Sequence, residues 1–421
     1  MRILIATDAF PPVCGGSGWS TYELARGLRE HGHEVVVVQA RAGSPAEPVR
    51  SYDRFRVRAI EQPAPRVPVA RNYFKNERLW SRAAADLRAI AIEIRADIIH
   101  AQHVLTSPAA VSAALGIHTP VVCTVRDYWP LCYWGTLIHD PASPTLCPGC
   151  SARMMTRCVR PRAGAAWPLA LPFIPYMRGN LARKQHALAR ADAVVAVSST
   201  IARDLRDRAP ALHQTRIEII PNPMDIAGLR RAAQAAAPPV KGPYAIFVGK
   251  LEQNKGADML LPAVDRAGLG WPLIIVGDGA RRAALEAEAR RENRDVRFLG
   301  WLERPRAMAW LAHAGLLVFP SYGPESLSRV LIEAAAIGVP IAAMNTGGTR
   351  DILEHNVTGL LSATPAELGD HVARLVADRP LADRLAARAR AHVEAHFDAP
   401  RVVGRFESLY EELIQRGARH A

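Results

Sequence analysis

Short apolar runs that alternate with amphipathic stretches constrain the fold of this chain more than any other sequence feature. Arg2 to Ala6 and Glu34 to Gln39 are rich in apolar and β-branched residues, and Thr21 to Glu30 between them carries apolar residues at helical spacing. Strands that are apolar on both faces and alternate with helices form parallel sheets covered on both sides. The first half of the chain is therefore predicted to be a doubly wound α/β domain.

The alternation resumes after an Ala/Pro-rich linker that runs through residues 235–239. A chain of 421 residues is too long for one ordinary core, so the sequence predicts two doubly wound, Rossmann-like α/β domains. They cover residues 1–225 and 226–398, and a helix within 399–421 follows. The predicted strands of the second domain are Tyr244 to Val248, Leu273 to Val276, Val296 to Leu299, Leu316 to Phe319 and Pro340 to Ala343.

The composition of the chain limits the classes of molecule that it is expected to bind. The net charge is +13 and hydrophobic residues make up 49% of the chain, so disorder is excluded and an anionic partner is favoured. No zinc-finger spacing or RNA-reading aromatic pair accompanies the charge, and we expect no nucleic-acid partner.

Asp8 interrupts the first apolar run, which indicates a buried strand in a cytoplasmic protein rather than a signal peptide. Neither first strand is followed by G-x-G-x-x-G, which disfavours a nicotinamide enzyme.

The loop after the first strand of the second domain is a candidate diphosphate clamp. It reads Gly249-Lys250-Leu251-Glu252-Gln253-Asn254-Lys255-Gly256. Two ammonium groups and the start of a helix would balance the charge on a departing nucleoside diphosphate. An ordinary loop with two solvated lysines is the alternative.

Two glutamates eight residues apart form the second part of this candidate site. Glu325 lies in a loop after a predicted strand, where it can bind sugar hydroxyl groups, and Glu333 lies on the next helix, where it can accept hydrogen bonds from a ribose diol. The backbone amides of Leu327, Ser328 and Arg329 at the start of that helix can bind phosphate. Glu333 is surrounded by apolar residues, and a carboxylate in such a run needs a partner.

The spacing of these glutamates resembles the E-x7-E signature of retaining glycosyltransferases with the B-type, twin-Rossmann fold. The chain as a whole resembles glycosyltransferase family four, apart from residues 126–177. The other matching motifs are Gly15-Gly16, Ile220-Pro221-Asn222-Pro223, Gly277-Asp278-Gly279, and Thr346-Gly347-Gly348-Thr349 with Thr358-Gly359-Leu360.

The resemblance implies two domains that face each other across a cleft, with the last helix crossing back to brace the first. It implies a donor such as a UDP- or GDP-sugar, transfer with retention by a front-face mechanism, and no metal cofactor in transfer. Lys250 and Lys255 would hold the diphosphate, Glu325 the donor sugar and Glu333 the ribose. The remaining predicted donor contacts are Gly15, Gly16, Asn222, Gly249, Gly277, Leu299, Leu327, Ser328 and Arg329.

One position departs from the family pattern. The family commonly has His-Asp after the strand Val121 to Val125, and this chain has Arg126-Asp127. Arginine cannot act as a base, although it can donate hydrogen bonds to sugar or phosphate, so Arg126 and Asp127 are predicted site residues. His100 and His103 lie at the end of the preceding strand, Asp97 to His100, and are predicted to lie on the acceptor side, with structural histidines as the alternative.

Four cysteines mark an inserted segment at about residues 126–177 that lacks clear periodicity. Cys132, Cys147, Cys150 and Cys158 have a spacing that suits a structural zinc site. Iron–sulfur ligation and four thiols without a metal are the alternatives.

The rest of this insert is aromatic and basic. The stretch from Trp167 to Arg178, followed by Arg183 and Lys184, suits docking on the inner face of the cell membrane. Such docking would bring a lipid-linked glycan acceptor to the site, while packing of the insert on its own domain is the alternative.

The competing functions for the whole chain are a nucleotide-sugar binding subunit without transfer activity, a nucleotide-sugar epimerase, and a phosphorylase on the same fold.

Overall fold

The computed structural model describes residues 1–43, 50–66, 71, 73–140 and 146–420, with no side chains described beyond residue 417. Residues 141–145 of the predicted insert and residue 421 of the C-terminal segment lie outside the described residues. Contacts divide the chain into two compact units. Unit 1 comprises Met1–Leu137, Pro148–Met224 and Ala399–Ala421, and unit 2 comprises Ile138–Cys147 and Asp225–Asp398.

Unit 1 is built on a sheet of eight described strands in the order β3-β4-β2-β1-β5-β6-β7-β8. All neighbouring strands are parallel except the short β3–β4 pair. The strands are β1 (Arg2–Thr7), β2 (Glu34–Ala42), β3 (Ser51–Tyr52), β4 (Phe55–Gln62), β5 (Ile98–Ala101), β6 (Val121–Val125), β7 (Ala193–Ala196) and β8 (Ile217–Ile219). Ile3, Leu4 and Ile5 are fully buried, as expected for a strand covered on both faces.

Helices connect these strands. They are α1 (Gly16–Glu30), α2 (Leu79–Glu93), α3 (Ser107–Leu115), α4 (Ala152–Ala163), α5 (Trp167–Ala170), α6 (Ile174–Ala189) and α7 (Ser199–Arg208). A single turn of π-helix, Phe74–Arg78, precedes α2. The loops that follow β1, β5 and β6 at their carboxyl ends carry the polar residues described below.

The insert contains helices and a small core of its own, so the prediction of a segment without periodicity is wrong. Ser151 caps α4 by accepting a hydrogen bond from the Met154 amide at 3.2 Å. Met155 and Val159 on α4 lie one helical turn apart and pack against Ile174 on α6. The periodicity is only two turns long and is flanked by Pro and Gly, which hid it in the sequence.

Unit 2 is built on a parallel sheet of six described strands in the order β11-β10-β9-β12-β13-β14. The strands are β9 (Ala245–Val248), β10 (Leu273–Val276), β11 (Val296–Gly300), β12 (Leu316–Phe319), β13 (Ile341–Met344) and β14 (Leu360–Ser362). The helices are α8 (Ile226–Ala235), α9 (Leu260–Arg266), α10 (Arg282–Arg291), α11 (Arg304–Ala312), α12 (Arg329–Ile337), α13 (Thr349–Ile352), α14 (Pro365–Ala377) and α15 (Arg379–Phe397).

The last helix, α16 (Ala399–His420), belongs to unit 1 although it follows unit 2 in the chain. Val402, Val403, Phe406 and Tyr410 on α16 are buried in the core of unit 1. A Cβ added to Gly27 on α1 would lie 2.5 Å from Val403 Cγ2, so the two helices approach closely at this glycine.

Candidate active site

The loops at the carboxyl end of the unit 2 sheet are joined to one another through glycines. Gly277, after β10, has a φ of +138° and donates its N–H to Gly300 O at 2.8 Å. A Cβ on Gly277 would lie 1.9 Å from Gly249 O, the carbonyl that follows β9. No other residue fits here without moving backbone. The predicted clamp loop and the loop that carries the Gly277-Asp278-Gly279 motif are therefore in direct contact.

A lysine and a glutamate meet at the centre of this edge. Lys255 Nζ lies 2.6 Å from Glu325 Oε1, and Ser321 Oγ donates to the same oxygen at 2.5 Å. Glu325 is buried, whereas part of the Lys255 side chain remains exposed. Lys250 is exposed on the same loop. The structure thus brings together two of the predicted site residues, and the ammonium group retains an open side.

The loop that carries Glu325 is held by the loop after β13. Gly348 donates its N–H to Glu325 O at 2.7 Å, and Gly347 has a φ of +51°. A Cβ on Gly347 would lie 2.0 Å from Glu325 O. These two glycines allow the backbone approach that fixes the position of the Glu325 carboxylate.

Glu333 has the cationic partner that its apolar surroundings require. Its Oε1 lies 2.7 Å from Arg304 Nη1, at the start of α11, and 3.6 Å from Arg329 Nε on its own helix. Glu333 is buried on α12. Leu327 and Ser328 immediately precede α12, where backbone N–H groups lack intrahelical acceptors and the helix dipole favours an anion.

The other predicted donor contacts divide between the units. In unit 2, Leu299 lies half-buried on β11. In unit 1, Asn222 is buried, and Gly15 and Gly16 form the start of α1. A Cβ on Gly15 would meet nothing within 4 Å, whereas one on Gly18 would lie 2.6 Å from Cys14 Sγ. Close packing therefore requires a glycine at Gly18, in the first turn of α1. The sequence analysis did not identify this residue.

In unit 1, the structure groups His103 with two carboxylates. His103 Nε2 lies 2.7 Å from Asp127 Oδ2, and its Nδ1 lies 3.7 Å from Asp8 Oδ2. These three residues follow β5, β6 and β1, so they share the carboxyl edge of the sheet. Burial alone would lower the pKa of His103, but the charges of Asp8 and Asp127 outweigh it and raise the pKa above its ordinary value. Asp8 was not predicted as a site residue.

His100 belongs to the interior of unit 1 instead of a ligand surface, which corrects its predicted place on the acceptor side. Its Nδ1 lies 2.5 Å from the Tyr410 hydroxyl group and its Nε2 lies 2.7 Å from Thr124 Oγ1. Burial, followed by the charge of Arg126, holds the pKa of His100 well below its ordinary value. A neutral imidazole with a partner on each nitrogen is a structural histidine.

Arg126 is directed into a buried polar network. Its Nη1 donates to Ser17 O at 2.9 Å and to Thr21 Oγ1 at 2.8 Å, and its Nη2 donates to Gln102 Oε1. Both acceptors of Nη1 lie on α1. The guanidinium group therefore ties the first turns of α1 to the ends of β5 and β6.

Lys184 is a second buried cation of unit 1. Its Nζ lies 4.8 Å from the centre of the Trp129 ring, and no described residue accepts a hydrogen bond from it. The amide of Trp129 donates in turn to Asp127 Oδ1 at 2.8 Å. Burial lowers the pKa of Lys184 to about 8.

The four clustered cysteines do not assemble as the zinc prediction requires. Among the described residues there is no group of three or more His, Cys, Asp or Glu side chains that could hold a metal ion. Cys158 is buried on α4 with its Sγ 3.1 Å from Arg162 Nη1, and Cys150 packs against the small core of the insert. Over the described residues, the structure therefore gives the zinc site no support.

Arg304 and Ser321 are the residues of the unit 2 edge that the sequence analysis missed. Ser321 lies four residues before Glu325, a separation that puts its hydroxyl group within reach of that carboxylate. The need of Glu333 for a partner was visible in the sequence, but Arg304 lies 29 residues earlier on another helix, and only the fold brings the two together.

Within the part of the chain that the structure describes, no helix is long and apolar enough to cross a membrane.

Two family profiles match nearly the whole chain. Residues 14–227, about half of the chain, match Glycosyltransferase Family 4, and residues 230–392 match Glycosyl transferases group 1. Glycogen synthase of Mycobacterium tuberculosis is 28% identical, with 94% of this chain and 91% of that protein covered. D-inositol 3-phosphate glycosyltransferase of Xylanimonas cellulosilytica is 27% identical, with 90% and 87% covered.

Solved structures share the fold. Sucrose-phosphate synthase from Thermosynechococcus elongatus is 19% identical and superposes with a TM-score of 0.73, covering 99% of this chain and all of that one. Anabaena HepE in complex with UDP-glucose is 20% identical, with a TM-score of 0.65 over 98% of this chain and all of that one. The predicted fold of two Rossmann-like domains and the predicted assignment to retaining glycosyltransferases are confirmed, and the chain belongs to glycosyltransferase family 4.

Proposed function

We propose that the carboxyl edge of unit 2 holds a nucleoside-diphosphate sugar, such as a UDP- or GDP-sugar, and that Lys255 and Glu325 lie at the reacting bond. The contact between Lys255 Nζ and Glu325 Oε1, at 2.6 Å, is the observation that carries the proposal. The ammonium group can contact phosphate on its open side while Glu325 accepts hydrogen bonds from sugar hydroxyl groups. Glu333, held by Arg304, then faces the ribose.

In this reaction the bond between the anomeric carbon and the diphosphate oxygen breaks, and a bond from the same face to the acceptor oxygen forms. The departing phosphate oxygen takes the acceptor proton, so no protein base is required. Lys250, Lys255 and the amides at the start of α12 stabilise the negative charge that grows on the diphosphate. Glu325 positions the sugar, and its negative charge stabilises the oxocarbenium-like carbon.

The acceptor side of the proposal is the carboxyl edge of unit 1. His103 between Asp8 and Asp127 is a rigid polar group at the end of three strands. Asp127 can accept a hydrogen bond from an acceptor hydroxyl group, and His103 fixes its orientation. Arg126 acts as a positioning residue here, because Nη1 and Nη2 donate to α1 and Gln102.

A donor screen tests this function. Purified protein is mixed with UDP-, GDP- and ADP-sugars, and the melting temperature and release of nucleoside diphosphate are measured. One donor class is expected to raise the melting temperature and to be hydrolysed slowly without acceptor. Binding without hydrolysis or transfer, together with an unchanged Glu325→Ala variant, would support a binding subunit and overturn the transferase proposal.

We also propose that the acceptor is lipid-linked and that unit 1 docks on an anionic membrane surface through the segment α4–α6. Residues 141–191 contain no Asp or Glu. Besides the buried Lys184, the same residues contain seven exposed or half-buried arginines: Arg153, Arg157, Arg160, Arg162, Arg178, Arg183 and Arg190. A surface with such a charge excess is attracted to anionic lipid headgroups.

Exposed apolar side chains accompany this charge. Leu169 is 78% exposed and Phe173 is 41% exposed in the α5–α6 connection. Beside them lies a groove of about 420 Å³ between the start of α4 and α6, with Arg178 at its rim. Its other lining residues are Ala152, Ile174, Pro175, Gly179 and Ala182. Apolar residues beside arginines suit the boundary between headgroups and acyl chains.

Vesicle co-sedimentation tests the docking. Wild-type protein is expected to sediment with vesicles of phosphatidylcholine and phosphatidylglycerol, and to sediment less in high salt. The double variant Leu169→Ser/Phe173→Ser should lose most of this binding, while Ile92→Ser, a change at another exposed apolar residue (59%), should not. Equal sedimentation of both variants, or no preference for anionic vesicles, would contradict the docking and leave donor hydrolysis unaffected.

A further inference from the structure

Trp301 stands apart from the other tryptophans of unit 2. Trp301 is 66% exposed. Trp271 packs against the core of the unit, and Trp310 packs edge-on against Tyr244 with ring centroids 5.5 Å apart. A single exposed apolar residue needs no explanation by itself. Trp301, however, directly follows β11, at the carboxyl edge of the unit 2 sheet.

Trp301 lies in a short connection that is anchored at both ends. At one end Gly300, with a φ of +69°, accepts the hydrogen bond from Gly277 N at 2.8 Å. At the other end Arg304 pairs with Glu333 at 2.7 Å. Two residues lie between Trp301 and Arg304, which limits the distance between their Cα atoms to about 11 Å. The connection that carries Trp301 therefore joins the Gly277–Gly300 contact to the ion pair of Glu333.

Charged groups lie on the other side of the same connection. Arg282 Nη1 is 3.1 Å from the position that a Cβ on Gly300 would occupy. Arg282 pairs with Asp278, in the loop after β10, at 2.9 Å. An exposed aromatic face beside a guanidinium group and a carboxylate combines a stacking surface with a donor and an acceptor of hydrogen bonds. A purine or pyrimidine ring presents the complementary features: flat apolar faces and polar edges.

We infer that Trp301 stacks on the nucleobase of the donor and contributes to the choice of nucleoside. This inference rests on the proposed donor site, since it needs the ribose at Glu333 and the diphosphate at Lys255. The base then extends from the ribose toward the Gly277–Gly300 contact, and the indole covers it. Stacking strength differs between purines and pyrimidines, so the ratio of their affinities depends on the aromatic ring.

Binding of UDP, GDP, ADP and inorganic pyrophosphate to the full chain tests the inference, with tryptophan fluorescence and calorimetry as readouts. Trp301→Ala is expected to weaken the preferred nucleoside diphosphate about ten-fold and to leave pyrophosphate affinity unchanged. Trp301→Phe should retain most of the affinity, with an altered ratio between purine and pyrimidine. The fluorescence change on binding should disappear in Trp301→Phe, although seven other tryptophans remain.

The control is Ile92→Ala, which removes another exposed apolar side chain of the protein. An equal loss of pyrophosphate and nucleotide affinity would overturn the inference, because Trp301 would then only hold the loop. Unchanged nucleotide affinity in Trp301→Ala would also overturn it, while the donor site stands. If wild-type protein binds none of the nucleotides or nucleotide sugars, the proposed function itself fails.

Discussion

Buried charged side chains have different kinds of partner at the carboxyl edges of the two sheets. In unit 2, the buried carboxylates of Glu325 and Glu333 each contact a cation from another loop or helix. In unit 1, Arg126 donates to neutral oxygens and Lys184 lies against the Trp129 ring. A cation paired with a carboxylate can exchange part of that contact for a ligand phosphate. A cation whose hydrogen bonds join two elements, or that lies against an aromatic ring, contributes instead to the positions of the elements around it.

The strongest test of this contrast is Glu325→Gln. The amide keeps the size of the side chain but loses the charge that pairs with Lys255 and stabilises the reacting carbon. We expect kcat/KM for donor turnover to fall about 100-fold or more, measured as release of nucleoside diphosphate. Asp370→Asn, which breaks an exposed ion pair with Arg266, should change it less than two-fold, as expected of an exposed pair. A similar fall of kcat/KM in both variants would show that the charge of Glu325 has no specific role in the reaction.

Lys184→Met tests whether burial of the Lys184 ammonium group lowers the free energy of unfolding. The pKa of about 8 in the folded chain lies below the ordinary 10.5, so between these pH values the unfolded chain binds more protons and stability rises with pH. The variant should lose this slope and gain about 2 kcal/mol in free energy of unfolding at neutral pH.

Urea unfolding between neutral and alkaline pH measures this change. Lys241→Met, at an exposed lysine, is the matched control and should shift stability by less than about 0.5 kcal/mol. A destabilised Lys184→Met variant would mean that the contact with Trp129 outweighs the cost of burying the charge.

Glu333→Gln sharpens the comparison within unit 2. The variant leaves Arg304 beside a neutral amide and weakens the acceptor for the ribose diol. We expect about a ten-fold rise in the donor Kd with a smaller change in kcat, because ribose contacts act equally in the ground and transition states. Calorimetry with the donor and steady-state kinetics separate the two quantities. A fall in kcat alone would place Glu333 at the reacting end of the donor.

The smallest expected effect belongs to His103→Gln. Because the pKa of His103 is raised in the folded chain, its contribution to stability is complete below the ordinary value of about 6.5. The contribution is lost as pH rises through the folded value. Asp8 and Asp127 are partly exposed, so we expect a loss of less than about 1 kcal/mol at acidic pH and none at alkaline pH.

Unfolding of the His103→Gln variant at about pH 6 and about pH 8 checks this difference, with His213→Gln, at an exposed histidine, as the control. A loss of the same size at both pH values would mean that the imidazole stabilises unit 1 by packing instead of by charge.

The sequence predicted the unit 2 edge better than the unit 1 edge for a physical reason. Lys255 and Glu325 lie in loops after β9 and β12, two strands of a regular alternation that are neighbours in the parallel sheet, so parallel topology brings them to one edge. Two partners of Arg126, Ser17 and Thr21, lie on α1, more than 100 residues away, and no local pattern specifies such a contact. His100 lies in β5 and His103 follows it, and both are buried. Only their partners in the fold distinguish the structural histidine from the one at the sheet edge.

The return of α16 to unit 1 has a consequence for synthesis on the ribosome. The core of unit 1 requires Val402, Phe406 and Tyr410, which are translated after all of residues 225–398. The apolar face of α1 and the buried His100 therefore lack their final cover while unit 2 is being made. Folding of the first half is completed by the last segment to emerge, and a chain that terminates before residue 399 leaves unit 1, not unit 2, without part of its core.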